Sequence, residues 1–576
     1  MIYILFKYYC MLLYVSCYIK IYDSTEKDDW RIDNFKLLLK TGINIMVFIS
    51  KEYENKFILL CDIYSNLSYR VIDIYKELLL FINKPNNPKL PDIRNENKDT
   101  YEYMALMNSK LEFIMKVIDK KYDYYAWIDF SITYIFNELN YTLSYLSFLS
   151  KQKWNNEFIY IPGCWNISNE KLITDYVYWR FCGGFFMGDK ESIINFYNIV
   201  DKTLKEELIN KSLMVWEVNI WSFIESNKEW CPSHWYKVND HNDDMIINIP
   251  TELYISPLSW LNDKSIEFYN LLPKIDYFHP SSISYCVNKN TKEEYLICRM
   301  INYELSDDGR QYIYLSSNKT IENINILINL TKRESIILCI EEGLYEYKNS
   351  FSRGLEDIRI YENMTFTANS ISFTNGITSQ IIYGKIDEKN GIINNMKHIK
   401  TPSLLNKYEC EKNWIFIEKE EKIYVIYRWY PFEIGILEND KIVIDKSLKL
   451  QPEYIFKDMR GSTIFIEYSI NRYNCIYNGD WLIGIIHYSI DQDVNTNIYR
   501  KYFHCLVLLN KESLIPKYIT SPFTFLKKQG IEYCIGMRYE KINGIFTFWV
   551  SIMDNSPREF YLHEDKIDFN ISINLN

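Results

Sequence analysis

The chain has 576 residues, 48% hydrophobic and 24% charged, and Lys+Arg 65 against Asp+Glu 75 leave a net charge of −10. That apolar share excludes global disorder, and 18 Gly with 15 Pro exclude collagen-like and Pro/Gly-rich classes. A mildly acidic chain lacks the broad positive field of a nonspecific nucleic-acid binder, so no nucleic acid is expected as partner.

Aromatic residues make up 16%, with 50 Tyr and 14 Trp; such rings suit strands and also stack on sugars. The abundance of Asn, Ile, Lys and Tyr looks like the codon bias of an AT-rich genome, such as that of a giant virus. The 13 Cys are dispersed, without a CxxC pair or zinc-type spacing, which points to a reducing, cytoplasmic compartment.

Residues 1–19 are apolar except Lys7. The run is short for a spanning helix and lacks a basic leader. Its second half reads as a buried strand and no membrane partner is expected; a signal anchor is the alternative. Residues 33–40 then read as a helix, 44–50 and 57–63 as strands, 104–120 as a strong helix, 124–129 as a strand ending in a carboxylate, and 133–150 as helical. Short apolar strands alternating with helices predict an α/β unit with a largely parallel sheet.

Four features in this half carry chemistry. In Trp127-Ile128-Asp129, a carboxylate beyond a strand's carboxyl end is where open α/β sheets bind ligands, and it could hold a divalent ion (Mn2+ or Mg2+); the plainer reading is a helix cap. Gly183 and Gly184 let a backbone approach a ligand, or form a tight turn before a helix capped by Asp189. In Met214-Val215-Trp216-Glu217-Val218-Asn219, a buried Glu217 would have a raised pKa suited to general-base work, or would be a structural carboxylate. The run Asp240-His241-Asn242-Asp243-Asp244 supplies hard ligands, or is a solvated acidic loop.

In this order the motifs resemble the HtrL/YibB family of glycosyltransferases. The resemblance covers about residues 12–250 and starts at Val15-Ser16-Cys17-Tyr18. It implies a GT-A-like fold over residues 1–255, a nucleotide-sugar donor, a glycan or protein acceptor and no organic cofactor. Asp129 would stand first in an Asp-X-Asp motif, with Ser131 in place of the second Asp, so a metal would need His241 or Asp243. Glu217 would activate the acceptor, and Trp127, Gly183, Gly184, Trp216 and Asn219 would line the cleft.

After about residue 255 helical periodicity fades and short strands recur between polar turns. About 300 residues exceed one ordinary sandwich, and five blades of about 60 residues would fill them. Charged and aromatic residues at the strand ends, Arg353, Glu356, Asp357, Arg359, Arg460, His487, Tyr502 and Glu532 among them, could converge on a central channel and bind glycan, or tie blades together as buried ion pairs. The second domain is expected over residues 275–570, and about residues 275–565 of it resemble the five-bladed propellers of glycosidases and β-mannoside phosphorylases. That resemblance implies Asp357 as the acid, with Arg353, Arg359, Arg460 and His487 on sugar or phosphate. The whole reads as a glycosyltransferase with a glycan-binding or glycan-processing propeller; the alternatives are a glycoside phosphorylase or hydrolase acting through the propeller, and a noncatalytic glycan binder.

Overall fold

The computed structural model describes the chain except residues 1–11, 23–27, 119–121, 151–153, 155–156, 169–170, 251–261, 266, 308, 310, 318, 342–343, 403–409, 471–476, 492–499, 527–529, 570 and 576. The chain divides into two units, Met1–Tyr254 and Ile255–Asn576.

The first unit is built on seven strands: β1 (Leu12–Tyr18), β2 (Ile45–Ile49), β3 (Leu67–Val71), β4 (Tyr124–Ile128), β5 (Ile159–Gly163), β6 (Phe185–Asp189) and β7 (His234–Lys237). Their order in the sheet is β3-β2-β1-β4-β6-β5-β7. The pairs β1–β2, β2–β3, β1–β4 and β5–β7 are parallel, and β6 runs against both β4 and β5. Strands β4 and β6 are buried along their whole length, as a sheet covered on both faces requires. The first half of the apolar N-terminal run lies outside the described residues; the second half is the interior strand β1, between β2 and β4. Among the described residues no helix is long and apolar enough to cross a membrane.

Two local expectations are corrected. Residues 57–63 belong to a helix, Glu54–Ile63, not a strand. Tyr53 at its N-cap and Phe57 and Leu60 within it are buried at helical spacing, while Leu59 and Ile63 are 64% and 71% exposed. A continuous apolar run hides that period. The helix expected over 104–120 is two helices, Tyr101–Asn108 and Lys110–Met115. The break falls at Ser109, whose hydroxyl donates back to the Ala105 carbonyl at 2.9 Å, a contact that bends helices.

The second unit is a five-bladed β-propeller, as the strand spacing predicts. In chain order its blades are built on the strand sets His279–Val287, Glu294–Ile301, Ile321–Asn329 and Glu334–Ile337; Glu356–Ile360, Thr365–Ser370, Gln380–Asp387 and Ile392–His398; Ile415–Lys419, Lys422–Trp429, Phe432–Glu438 and Lys441–Leu448; Ile466–Ile470, Gly479–Asp491, Arg500–Asn510 and Pro516–Ile519; and Glu532–Glu540, Ile545–Ile552 and Asn555–His563. The strand Asn262–Ser265, early in this unit, pairs antiparallel with Asn555–His563. The last blade is thus completed from the unit's beginning, and the ring is closed by backbone hydrogen bonds. The blade cores are apolar, with Phe366, Ile382 and Ile393 in the second and Ile483, Leu506 and Leu508 in the fourth.

Candidate functional site

Asp129 follows β4, and β1 and β4 are the neighbours at which strand order reverses in the first unit. Open sheets bind ligands at that switch, beyond the strands' carboxyl ends. The Asp129 side chain is 42% exposed. Its Oδ1 accepts from Trp127 Nε1 at 2.7 Å and lies 3.4 Å from the Lys110 ammonium. Lys110 is buried, donates to the Gly183 carbonyl at 2.8 Å and to Glu217 Oε1 at 2.8 Å. Burial pulls the Lys110 ammonium down, but Asp129 and Glu217 outweigh it and hold it above its ordinary value.

This cluster explains the first of the twin glycines. A Cβ on Gly183 would stand 2.2 Å from Glu217 Oε1, so the Lys110–Glu217 pair occupies the space that the missing side chain leaves. Gly184 accepts from the Asp129 backbone N–H at 3.0 Å. Glu217 opens the helix Glu217–Ser226 as a buried member of an ion pair. Asn219 spends its amide on the loop before Gly183: it donates to the carbonyls of Ile173 and Tyr176 and accepts from Tyr178 N–H, each at 2.8 Å. Trp216 is buried at the N-cap. Asp189 caps the helix Lys190–Thr203, accepting from Glu191 and Ser192 N–H at 3.1 Å.

The donors considered for a metal do not form a ligand set. His241 stacks on Trp179 with centroids 3.9 Å apart and lies 3.1 Å from Asp240. Asp243 accepts from Met245 N–H at 2.9 Å as a cap. Among the described residues no three His, Cys, Asp or Glu side chains are placed to hold one ion. The residues present therefore do not fit a divalent metal at Asp129.

The propeller encloses a cavity of about 660 Å³, within the ~300–1,000 Å³ typical of ligand sites. Its wall brings together four carboxyl groups, Glu356, Asp357, Asp458 and Asp554, with Arg299, Lys412, Lys457, Arg460, Arg500 and His487, and the rings of Tyr303, Tyr312, Phe351, Tyr502 and Tyr533. Asp357 sits where the ladder slips between Glu356 and Arg359, with φ at 52°. The bulge turns its side chain out of the alternation, and left-handed backbone at a non-glycine residue is strain kept at functional positions. Asp357 Oδ1 accepts from Ser282 Oγ at 2.8 Å and Arg299 Nη1 at 3.0 Å. Burial would raise its pKa; the Arg299 guanidinium and the Ser282 hydroxyl outweigh burial and hold the carboxyl below its ordinary range. Asp554 sits in a hairpin turn with φ at 56°, and Tyr303 Oη donates to its Oδ2 at 3.0 Å. Burial dominates there and, with the charges of Asp357 and Glu356, pushes the carboxyl up against the pull of Arg299. Two carboxyl groups on one wall thus have pKa values pushed in opposite directions.

The other residues singled out divide between wall and framework. Glu356 accepts from Ser352 Oγ at 2.5 Å and lies 3.6 Å from Lys412. His487 lines the cavity, stacks on Tyr502 and shares a 2.7 Å hydrogen bond with Ser462 Oγ; burial keeps its imidazole neutral, well below its ordinary pKa. Arg359 is buried as a tie between blades: its Nε donates to the Ser462 carbonyl at 2.6 Å and its Nη2 to Tyr533 Oη at 2.7 Å. Arg353 pairs with Glu346 and Glu322 at 3.3 and 3.6 Å, and Glu532 accepts from Phe525 and Leu526 N–H at 2.7 and 2.9 Å; neither lines the cavity. Sequence reasoning missed Lys110, Arg299, Tyr303, Tyr533 and Asp554. Arg299 had a signal, a charge in the middle of the apolar run 295–301 of the strand Glu294–Ile301. Asp554 had none, because Asp suits a hairpin turn for conformational reasons alone.

No family model and no curated protein matches the chain. Among solved structures it is similar to a glycosyl hydrolase from Bacteroides ovatus, at 8% identity and a TM-score of 0.33, over 56% of this chain and 98% of that one. It is also similar to a point mutant of NanB sialidase from Streptococcus pneumoniae, at 11% identity and a TM-score of 0.27, over 50% of this chain and 57% of that one.

Proposed function

We propose that the propeller cavity cleaves glycosidic bonds, with Asp554 as general acid and Asp357 as the charged carboxylate. One observation carries this reading: on the same wall burial pushes the Asp554 carboxyl up, while Arg299 and Ser282 outweigh burial and hold the Asp357 carboxyl down. Glycoside cleavage needs that division of labour, since one carboxyl must give a proton while another supports positive charge or activates water. Asp554 protonates the glycosidic oxygen, the bond from that oxygen to the anomeric carbon breaks, and water adds at the anomeric carbon and returns its proton to the carboxyl pair. Among the described residues Asp357 Oδ2 has no protein partner and is the oxygen that meets water or the anomeric carbon. Tyr312 and Phe351, 44% and 53% exposed with rings 5.8 Å apart, offer an aromatic rim for a sugar face. The test is release of reducing sugar from oligosaccharides and aryl glycosides by the full chain. Turnover that disappears in Asp554→Asn and Asp357→Asn supports the assignment; turnover unchanged in both variants overturns it.

A second reading rests on Asp129 at the switch between β1 and β4. There the first unit, as a GT-A-like domain, takes a nucleotide-sugar and transfers the sugar to a glycan acceptor. Lys110 and Glu217 position Asp129 in this reading. UDP- and GDP-sugar hydrolysis, with and without Mn2+, tests it: loss in Asp129→Ala supports it, and no hydrolysis of any donor by the unaltered chain ends it.

A further inference from the structure

A second cavity of about 400 Å³ lies against the first. The two share Lys412, Asn413, Lys457, Met459 and Arg460 as lining, so they are two compartments of one groove in the propeller. The charge of the second is lopsided. Lys412, Arg428, Lys457 and Arg460 line it against one carboxylate, Glu411, in a chain whose net charge is −10. That carboxylate is engaged: Oε2 accepts from Trp414 Nε1 at 2.9 Å and Oε1 from Tyr427 Oη at 3.0 Å. Lys412 lies 3.6 Å from Glu356 on the central wall. Arg428 and Arg460 are exposed and have no ion-pair partner among the described residues. The Arg428 guanidinium is held over the Tyr427 ring at 4.9 Å, with Nη2 3.4 Å from that residue's hydroxyl.

We infer that this side cavity is a subsite for an acidic sugar, a unit bearing a carboxylate or sulfate, within an oligosaccharide whose neighbouring unit lies in the central cavity. The inference rests on the glycoside-cleaving reading and adds the substrate's charge and length. Each compartment alone has the volume of a ligand pocket, so a chain of at least two units fills the groove. Arginine fork geometry matches carboxylate and sulfate oxygens, and the Tyr427 ring and hydroxyl pre-orient Arg428, which lowers the cost of ordering it on binding.

The experiment is calorimetric titration of the full chain with uronate and sulfated oligosaccharides, with neutral oligosaccharides of equal length, and with inorganic phosphate. Acidic chains binding at least about tenfold tighter than neutral ones, with that margin lost in Arg428→Gln, only partly kept in Arg428→Lys, which retains the charge but not the fork, and weakened by salt, is the expected result. Arg428 is on the surface, so the variants test binding rather than folding. Equal affinity for neutral chains, or no change in Arg428→Gln, overturns the subsite. Phosphate binding that depends on Arg428, with no preference among saccharides, also overturns it and assigns the cations to a free anion. Neutral chains cleaved normally while Arg428→Gln changes nothing would fell the subsite alone. Acidic chains bound through Arg428 yet never cleaved would fell the catalytic reading alone.

Discussion

The two units treat charge in opposite ways. In the first, Lys110 is buried between Asp129 and Glu217 and bonds both the Glu217 carboxylate and the Gly183 carbonyl; only Asp129 reaches solvent. In the propeller, carboxyl groups and cations face about 660 Å³ of open cavity, and their environments drive the pKa values of Asp357 and Asp554 apart. The contrast teaches how to tell architecture from chemistry. Charges that satisfy one another in a dry interior hold elements together, whereas charges of separated pKa on the wall of an accessible cavity are poised to exchange protons with something that enters.

The largest expected effect breaks the propeller side of this contrast. Asp554→Asn should cut the turnover number about 10²–10⁴-fold, the usual worth of a general acid, with substrate binding nearly unchanged. The pH profile should be bell-shaped. Activity falls on the acid side as Asp357 takes a proton, below the ordinary carboxylate range, and on the alkaline side as Asp554 loses one, above that range. An alkaline limb that persists unchanged in Asp554→Asn would contradict the assignment. The next effect breaks the other side. Lys110→Met leaves the buried Glu217 carboxylate without its partner in a dry interior and should destabilise the chain by about 3–5 kcal/mol, read as a lower melting temperature. Adding Glu217→Gln should recover part of the loss, because the pair rather than the lysine alone is what the interior accepts. Full stability in the single variant would make Lys110 a free, ligand-facing cation instead.

What the sequence showed and hid follows the same division. The strand β4 and its terminal Asp129 were legible because five apolar residues in a row end in one carboxylate. The propeller was legible because strands separated by polar turns repeat at blade spacing. Residues 54–63 misled, since an unbroken apolar run does not distinguish a helix from a strand. Lys110 was invisible because a lysine inside a helical pattern reads as a solvated position; only the break at Ser109 turns it inward. The cavity was half legible. Glu356 and Asp357 stood out between two arginines, but Asp554 lies nearly 200 residues away in a turn, and closure of the ring alone brings it to the same wall. Glu217 stood out among aromatic residues, but its lysine partner comes from a distant helix, so local context could not reveal the ion pair.

Smaller effects sharpen the picture. Tyr312→Ala should weaken saccharide binding by about 0.5–1.5 kcal/mol through lost stacking and leave the turnover number alone; a loss of turnover instead would place Tyr312 against the reacting atoms.

The subtlest prediction concerns the fourth and fifth blades, where His504 and Glu532 face each other at 3.8 Å, both almost fully buried. Burial pulls the His504 imidazole down to about 3 and pushes the Glu532 carboxyl up to about 7 against its two backbone hydrogen bonds. A depressed histidine adds stability above its unfolded value of about 6.5, and that stability drains away as pH falls toward 3. A raised carboxyl adds stability below its unfolded value of about 4.3, lost as pH rises through 7. Between about 4.3 and 6.5 the two slopes oppose, so the pair contributes little net pH dependence there. His504→Phe, among the rings of Phe523 and Phe525, removes the first slope and keeps the second. The gap in melting temperature between variant and unaltered chain should therefore widen in the variant's favour by about 2–4 °C or more as pH falls from 6.5 to 4.5. A gap that stays constant across that range would mean that His504 takes up its proton in the folded chain as readily as in the unfolded one, and that the interior of these blades is wetter than its packing implies.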